Sequence, residues 1–454
     1  MSVEIKSGPA ALADFVVKGA PPAAARQRAA MAICDTAGVI LAGAVEPAAR
    51  MVQEIVNEDG RGECRILGTR EVAGPGGAAL ANGVAAHALD YDDMCFVSLA
   101  HPSCALVPAI LTAAEIARAP GAVLSEAYVI GFELECRLGT TMNPRHYHER
   151  GWHCTSSIGT LGAAAAAARV LGLDRHAVRN ALGIAASAAC GLKENIGSMV
   201  KPLHAGMAAR NGVMAARLAQ RGFVSSPNAL DGPQGYLAAM DSQHASIEPA
   251  VADLGMRWEI LETGVTVKLY PSCAATHPPL DALLELRREA SFTHEQVAAI
   301  DVEVDSMTPR LLIHDRPTTG LEAKFSMPFC AGAAVVYGRL GIDTFSADTI
   351  REPAIQALLP RVSLRANPAF DAAAPLSQAH VTVTLRDGRV LSRSADGARG
   401  YPGRLSTDEL ATKFAACASR ALTGTAATSA WAGLQRIESF ADVRELTALL
   451  TPGH

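Results

Sequence analysis

Charge of one sign is not in large excess in this chain. Against 45 acidic residues there are 40 lysines and arginines, a net charge of −5, so no basic face for nucleic acid is indicated. Aromatic residues make up only 5%, and alanine does much of the apolar work. That combination disfavours a sheet sandwich and favours closely packed helices, because alanine has the best helix propensity and lets helix axes approach. The 10 cysteines are scattered and form no C-x-x-C pair, which does not support a zinc ribbon and reads as small buried hydrophobes in a reducing compartment. No apolar run is long enough for a membrane span; the most apolar window, residues 158–173, is mostly alanine and contains Arg169. Residues 1–14 hold an early glutamate and no long apolar stretch, so no signal peptide is expected. A soluble cytoplasmic protein is expected, with neither nucleic acid nor membrane as a partner. Its 454 residues, 49% of them hydrophobic, predict a globular chain of about two or three domains.

The first part of the chain is patterned for helices. Residues 24–42 predict a helix ending at Gly43, and residues 103–117 another, closed by Ala119-Pro120-Gly121. Residues 162–171 predict an alanine helix stopped at Gly172. Asp174 is placed to cap the helix that carries 178–189, and a further small-residue helix spans 205–220. The texture changes near Gly264. Residues 298–305 alternate apolar and acidic side chains as a half-buried strand does. Residues 381–385 and 390–391, joined through Asp387-Gly388, predict a hairpin. Helical stretches at 330–337 and 347–358 lie between these strands. Ser406-Thr407-Asp408-Glu409 reads as a capping box that opens a final helical stretch. The expected organisation is a helical domain over 1–265, a smaller α/β domain over 266–400, and a helical return over 401–454.

Polar chemistry is concentrated in His87-Ala88-Leu89-Asp90-Tyr91-Asp92-Asp93 and the following His101-Pro102-Ser103. Buried carboxylates and imidazoles are costly unless paired or put to use. Asp90 and His101 suit an orienting carboxylate and a general acid or base. A helix cap with a satisfied core histidine explains the same residues. The run His87-x-x-Asp90-x-Asp92 also offers hard ligands for a metal, whereas His87, Asp92 and Asp93 equally suit supporting or helix-terminus positions. His153 follows Gly151-Trp152 at the expected start of the alanine helix, where an anion is favoured and an imidazole is kept neutral. His146 and His148, just upstream, are expected to be exposed. Lys201 and Lys268 stand in apolar or glycine-rich surroundings and suit carboxylate binding, although a surface position is the usual fate of lysine. His204 and His277 are secondary candidates.

Several blocks together resemble the MmgE/PrpD family. They are the Asp-rich block with His101-Pro102-Ser103, Gly151-Trp152-His153-Cys154-Thr155-Ser156, Lys201-Pro202-Leu203-His204-Ala205-Gly206, and Lys268-Leu269-Tyr270-Pro271-Ser272-Cys273. Ala274-Ala275-Thr276-His277-Pro278 and Ala323-Lys324-Phe325-Ser326-Met327-Pro328-Phe329 extend the match in family order over almost the whole chain. The family includes 2-methylcitrate dehydratase, cis-aconitate decarboxylase and iminodisuccinate epimerase. The resemblance implies a mainly α fold, with a large all-helical domain built from both chain ends and an α/β lid domain between them. It also implies a homodimer, a small di- or tricarboxylate substrate held in the cleft under the lid, and no metal or other cofactor.

By resemblance, Asp90, His101, His153, Lys201 and Lys268 fall on active-site positions. Cis-aconitate decarboxylase carries threonine where this chain has Met94, and tyrosine where it has Phe329. Both replacements remove a hydroxyl able to bind substrate, and discrimination built on such a donor goes with it. The resemblance therefore points to dehydration of a hydroxy acid of the 2-methylcitrate type. Lys201 and Lys268 would hold carboxylates, His101 and His153 would share the acid and base roles, and Asp90 would orient an imidazole. Met94, His204, His277 and Phe329 would line the substrate site. Epimerisation of a dicarboxylate by two opposed imidazoles ranks second, decarboxylation third, and a non-catalytic acid-binding member is the different-class alternative.

Overall fold

Small residues decide how the helices approach one another. The computed structural model describes residues 8–60, 62–242, 244–373 and 377–453; 58% helix with only small sheets makes the fold mainly α, as expected. The chain divides into two compact units. The larger takes residues 1–88, 92–265 and 406–454, and the smaller takes 89–91 with 266–405. The three-residue excursion at 89–91 had no counterpart in the sequence reading.

In the larger unit the helices Ala23–Gly43, Pro102–Ala117, Gly159–Val170, Arg175–Ala188 and Val200–Gln220 fall where alanine-rich periodicity predicts them. Asp174 accepts a hydrogen bond from the Ala177 backbone N–H and so caps its helix. Helix Pro75–His87 packs on Val200–Gln220. A Cβ on Gly83 would stand 2.7 Å from the Gly206 Cα, so the two backbones meet where no side chain fits. This contact holds the end of one helix, which bears His87, beside the start of the other, which bears Lys201 and His204. Ser406 and Glu409 form the predicted capping box, and helix Thr407–Ala418 packs on Ala23–Gly43. Buried Lys413 Nζ lies 2.7 Å from buried Asp35 Oδ1 across that contact. A short antiparallel pair, β1 (Cys64–Arg65) and β2 (Val72–Ala73), was not anticipated. Among the described residues no single helix is long and apolar enough to cross a membrane.

The smaller unit is built on a four-stranded sheet. Its strands are β3 (Val297–Val304), β4 (Val362–Ala366), β5 (Ala379–Leu385) and β6 (Val390–Ala395), in the order β4-β3-β5-β6. β3 pairs parallel to β4 with Val302 opposite Leu364, and antiparallel to β5 with Val302 opposite Val381. The predicted strand and hairpin are β3, β5 and β6, with Gly388 at φ +89 in the turn. Edge strand β4 escaped prediction because it shows no inside–outside alternation. The helix expected over 347–358 is two pieces, Ala347–Ile350 and Pro353–Leu358. Pro353 has no N–H and excludes Glu352 from helical geometry (ψ 118).

Candidate active site

His101 owes its position to the residue after it. Pro102 begins helix Pro102–Ala117 and forces His101 out of helical geometry, at φ −100 and ψ 88. The His101 backbone N–H donates to Thr155 Oγ1 at 3.1 Å, and its Nδ1 lies 2.8 Å from the Asp93 carbonyl oxygen. A carbonyl only accepts, so Nδ1 carries the hydrogen and Nε2 of neutral His101 is the basic nitrogen. His87 closes helix Pro75–His87, with its Nδ1 2.7 Å from Asp92 Oδ2. The same carboxylate oxygen is 3.6 Å from His101 Nδ1. The His87 ring meets that of His101 edge-on at 4.7 Å and stacks on that of His153 at 5.8 Å. His153 in turn holds His204, Nδ1 to Nδ1 at 3.1 Å. His87, Asp92 and His153 are buried, and His101 is partly exposed.

The electrostatics separate these imidazoles. Burial pushes His153 well below the usual histidine range, and the positive charges of His87, Lys201, His101 and His204 act in the same direction. His204 is pushed down to about 4, again chiefly by burial and then by His87 and Lys201. The pair is therefore neutral at neutral pH. Lys201, in the first turn of helix Val200–Gln220, is buried. Asp93 is pushed up to about 8 by burial, against the opposing hydrogen bonds from the Ser103 hydroxyl and backbone N–H. The Ser103 hydroxyl also meets the Tyr128 hydroxyl. Asp93 is therefore largely protonated at neutral pH, deep in the fold.

The smaller unit holds the other candidates. Lys268 Nζ donates to Asp90 Oδ2 at 2.9 Å and to the Asp90 carbonyl at 3.0 Å, and both side chains are buried. Lys324 Nζ donates to the carbonyls of Leu89 and Pro271, and the Tyr91 hydroxyl donates to the Leu269 carbonyl at 3.2 Å. Residues 89–91 are thereby tied into this unit, with Asp90 in the left-handed region at φ +52, a conformation that non-glycine residues adopt only at a cost. His277 begins helix His277–Ala290, buried, its ring 5.0 Å from that of Tyr270.

Several expectations need correction. Within the larger unit the carboxylate that accepts from His87 is that of Asp92, a residue not assigned the orienting role, and the Asp90 carboxylate accepts from Lys268. Phe329 is fully buried in the apolar core of the smaller unit with its ring 5.8 Å from Phe345, a packing position rather than a substrate-lining one. His153 precedes a four-residue turn, Cys154–Ser157, instead of the alanine helix, and burial is the main cause of its neutrality. His146 is buried, with Nε2 2.7 Å from Ser157 Oγ, and burial pushes it down to about 4. His148 and Met94 are half-buried. Lys324, buried and donating to two carbonyls, is a further cation that residue pattern did not distinguish, its apolar context being the available signal. Donor atoms of His87, Asp92 and His101 lie within 4.8 Å of one another, a spacing that suits a cation. Both Nδ1 atoms are already engaged as hydrogen-bond donors, which leaves only the Nε2 edges as ligands.

Comparison with known proteins gives two family matches. The MmgE/PrpD N-terminal domain matches residues 10–248, and the MmgE/PrpD C-terminal domain matches residues 270–434. Human cis-aconitate decarboxylase is 30% identical over 383 residues, 82% of this chain and 79% of its own length. The cis-aconitate decarboxylase-like protein oryM of Aspergillus oryzae is 27% identical over 453 residues, 95% of this chain and 94% of its own. Cis-aconitate decarboxylase of Aspergillus terreus is 26% identical over 417 residues, 87% and 85% of the two chains.

Proposed function

The chain belongs to the MmgE/PrpD family, and from that premise we propose that it is a lyase moving a proton beside a carboxylate of a small di- or tricarboxylate. The reaction we assign first is dehydration of a hydroxy acid of the 2-methylcitrate type. One observation carries the reading: His101, with its basic nitrogen fixed, shares the larger unit with the neutral pair His153–His204 and with buried Lys201.

The chemistry follows from those protonation states. His101 Nε2 takes the proton from the carbon beside a carboxylate, and the C–H electrons form the new double bond as the C–O bond breaks. The neutral pair shares one proton between its Nδ1 atoms, so one member presents an Nε2–H and the other a bare Nε2. The N–H member hydrogen-bonds the departing oxygen, and the proton that His101 Nε2 has taken passes to that oxygen, so the hydroxyl leaves as water and the imidazoles end neutral. Lys201 holds the carboxylate next to which negative charge builds, where a fixed cation in a water-poor setting is most effective. The reaction is redox-neutral and calls for no cofactor. The reading includes a cytoplasmic homodimer, which sedimentation at micromolar concentration checks for subunit number.

The names of the relatives favour a second reading, decarboxylation of a cis-aconitate-like acid. There the C–C bond to the leaving carboxylate breaks and the carbon takes its proton from an imidazole. Met94 stands against it, since the decarboxylase hydroxyl is missing there. Epimerisation and plain binding of an acidic metabolite follow.

One assay separates these outcomes. The protein is incubated with a panel of di- and tricarboxylates in deuterated water and followed by NMR. Loss of hydroxyl with a new alkene is expected. Carbon dioxide with a deuterated product supports the second reading, inversion with deuterium uptake supports epimerisation, and tight binding without turnover supports the binding reading. His101→Gln and His153→Gln should each reduce turnover by on the order of 10²-fold or more. Undiminished turnover in both would overturn the assignment.

A further inference from the structure

We propose that Asp92 is the positioning residue of the imidazole cluster: it fixes the proton of His87 on Nδ1, faces His101 with its charge, and makes His87 a second proton acceptor beside His101. This rests on the proton-transfer reading above.

Asp92 is wholly buried in an alanine-rich setting, where a carboxylate is costly unless opposing charge or hydrogen bonds offset it. Its Oδ2 lies 2.7 Å from His87 Nδ1 and 3.6 Å from His101 Nδ1. An ionised carboxylate only accepts, so the His87 hydrogen is on Nδ1 and its lone pair on Nε2. The Asp93 carbonyl imposes the same tautomer on His101. Two neighbouring rings, 4.7 Å apart, thus turn the same kind of nitrogen, a bare Nε2, away from one shared carboxylate. When either ring takes a proton, Asp92 stands at its Nδ1 edge and stabilises the imidazolium.

Two further features place His87 in the working part of the cluster. It is the last residue of helix Pro75–His87, where the partial negative charge of the helix end favours a cation. Its ring lies against both His101 and His153. The groups that bear on this charge balance are Lys201, His153, His204, Cys104, Asp93 and Asp35. Lys201 opposes protonation of the imidazoles, and Asp92 opposes Lys201. The cluster is therefore divided into a chargeable pair, His87 and His101, and a neutral pair, His153 and His204. A capping role alone accounts for neither the second, 3.6 Å approach to His101 nor the shared tautomer.

The test is nitrogen-15 NMR of the histidine rings in the full chain, with turnover measured alongside. In the wild type His87 and His101 should both appear as Nδ1–H tautomers while neutral. In D92N the His101 titration should move down by about one pH unit or more. The same variant should lose kcat on the order of 10²-fold, with the acid limb of its pH profile displaced downward and KM little changed. Asp92→Glu, which keeps the charge, should restore part of the kcat and the titration. An unshifted His101 titration in folded D92N overturns the proposal. So does an Nε2–H tautomer of His87 in the wild type, a result that needs no variant to fold. If no acid is turned over, the proton-transfer reading fails, whereas the ring spectra still decide the role of Asp92.

Discussion

The Nδ1 atoms of His153 and His204 lie 3.1 Å apart, so a single proton is shared between two imidazoles. Charging both rings would place two Nδ1–H groups head to head beside Lys201, whose charge already bears on each. The pair works as a neutral unit that always offers one donor and one acceptor.

Stability should register that neutrality. In the unfolded chain each ring titrates near about 6.5, whereas in the fold His204 is held down to about 4 and His153 well below its usual value. The unfolded chain thus binds more protons in this window. The contribution is complete above about pH 6.5 and is lost as pH falls toward about 4. Urea midpoints measured from pH 7 to pH 4.5 should fall, and His204→Asn should show a shallower fall. Equal slopes in the two proteins would contradict the neutral pair.

Asp93 should act in the opposite sense. Its carboxyl is pushed up to about 8, chiefly by burial, whereas an unfolded aspartate titrates near about 3.9. Between those values the folded chain holds a proton that the unfolded chain releases, so this contribution weakens as pH rises. The steepest slope is on the order of 1.4 kcal/mol per pH unit. Asp93→Asn keeps a neutral group beside Ser103 and should flatten the dependence, leaving the variant the more stable protein at pH 8. Denaturant titrations at pH 5 and pH 8 measure the difference.

Lys268 and Asp90 should fail singly and recover together. Lys268→Met leaves the buried Asp90 carboxylate without this partner, at a cost of about 3–5 kcal/mol. The double variant Asp90→Asn with Lys268→Met should regain more than half of that loss. Additive losses in a double-mutant cycle by urea unfolding would show that the two side chains are not coupled.

Phe329→Tyr tests the packing assignment. The ring is fully buried against Phe345, and an added hydroxyl without a partner there costs about 1–3 kcal/mol. Differential scanning calorimetry should show a lower Tm, with no decarboxylation appearing in the deuterium assay. An unchanged Tm with new decarboxylase turnover would return Phe329 to the substrate site.

Legibility followed the range of the interaction. The Asp174 cap, the Ser406–Glu409 box and the Asp387-Gly388 turn are local, and each was readable from a few neighbouring residues. The break at Pro353 was equally local, although the apolar periodicity of 347–358 masked it. Strand β4 was not readable, because it is recruited by β3 rather than by a pattern of its own. The burial of His146 depends on Ser157, eleven residues away, and polar composition pointed the wrong way.

What the sequence determined by itself was the inventory: a helical, alanine-rich chain, a strand-bearing stretch after Gly264, and the carboxylates, imidazoles and lysines available for chemistry. Tertiary structure alone decided which of them meet. Asp90 and Asp92 are two residues apart and chemically identical. The left-handed backbone at Asp90 and the ammonium of Lys268 draw one carboxylate into the smaller unit. The close approach of Gly83 and Gly206 sets His87 beside Lys201 and His204, and Asp92 meets the His87 ring there. Pairing depends on distances of about 3 Å between groups far apart in the chain, and residue order does not encode such distances until the helices have packed.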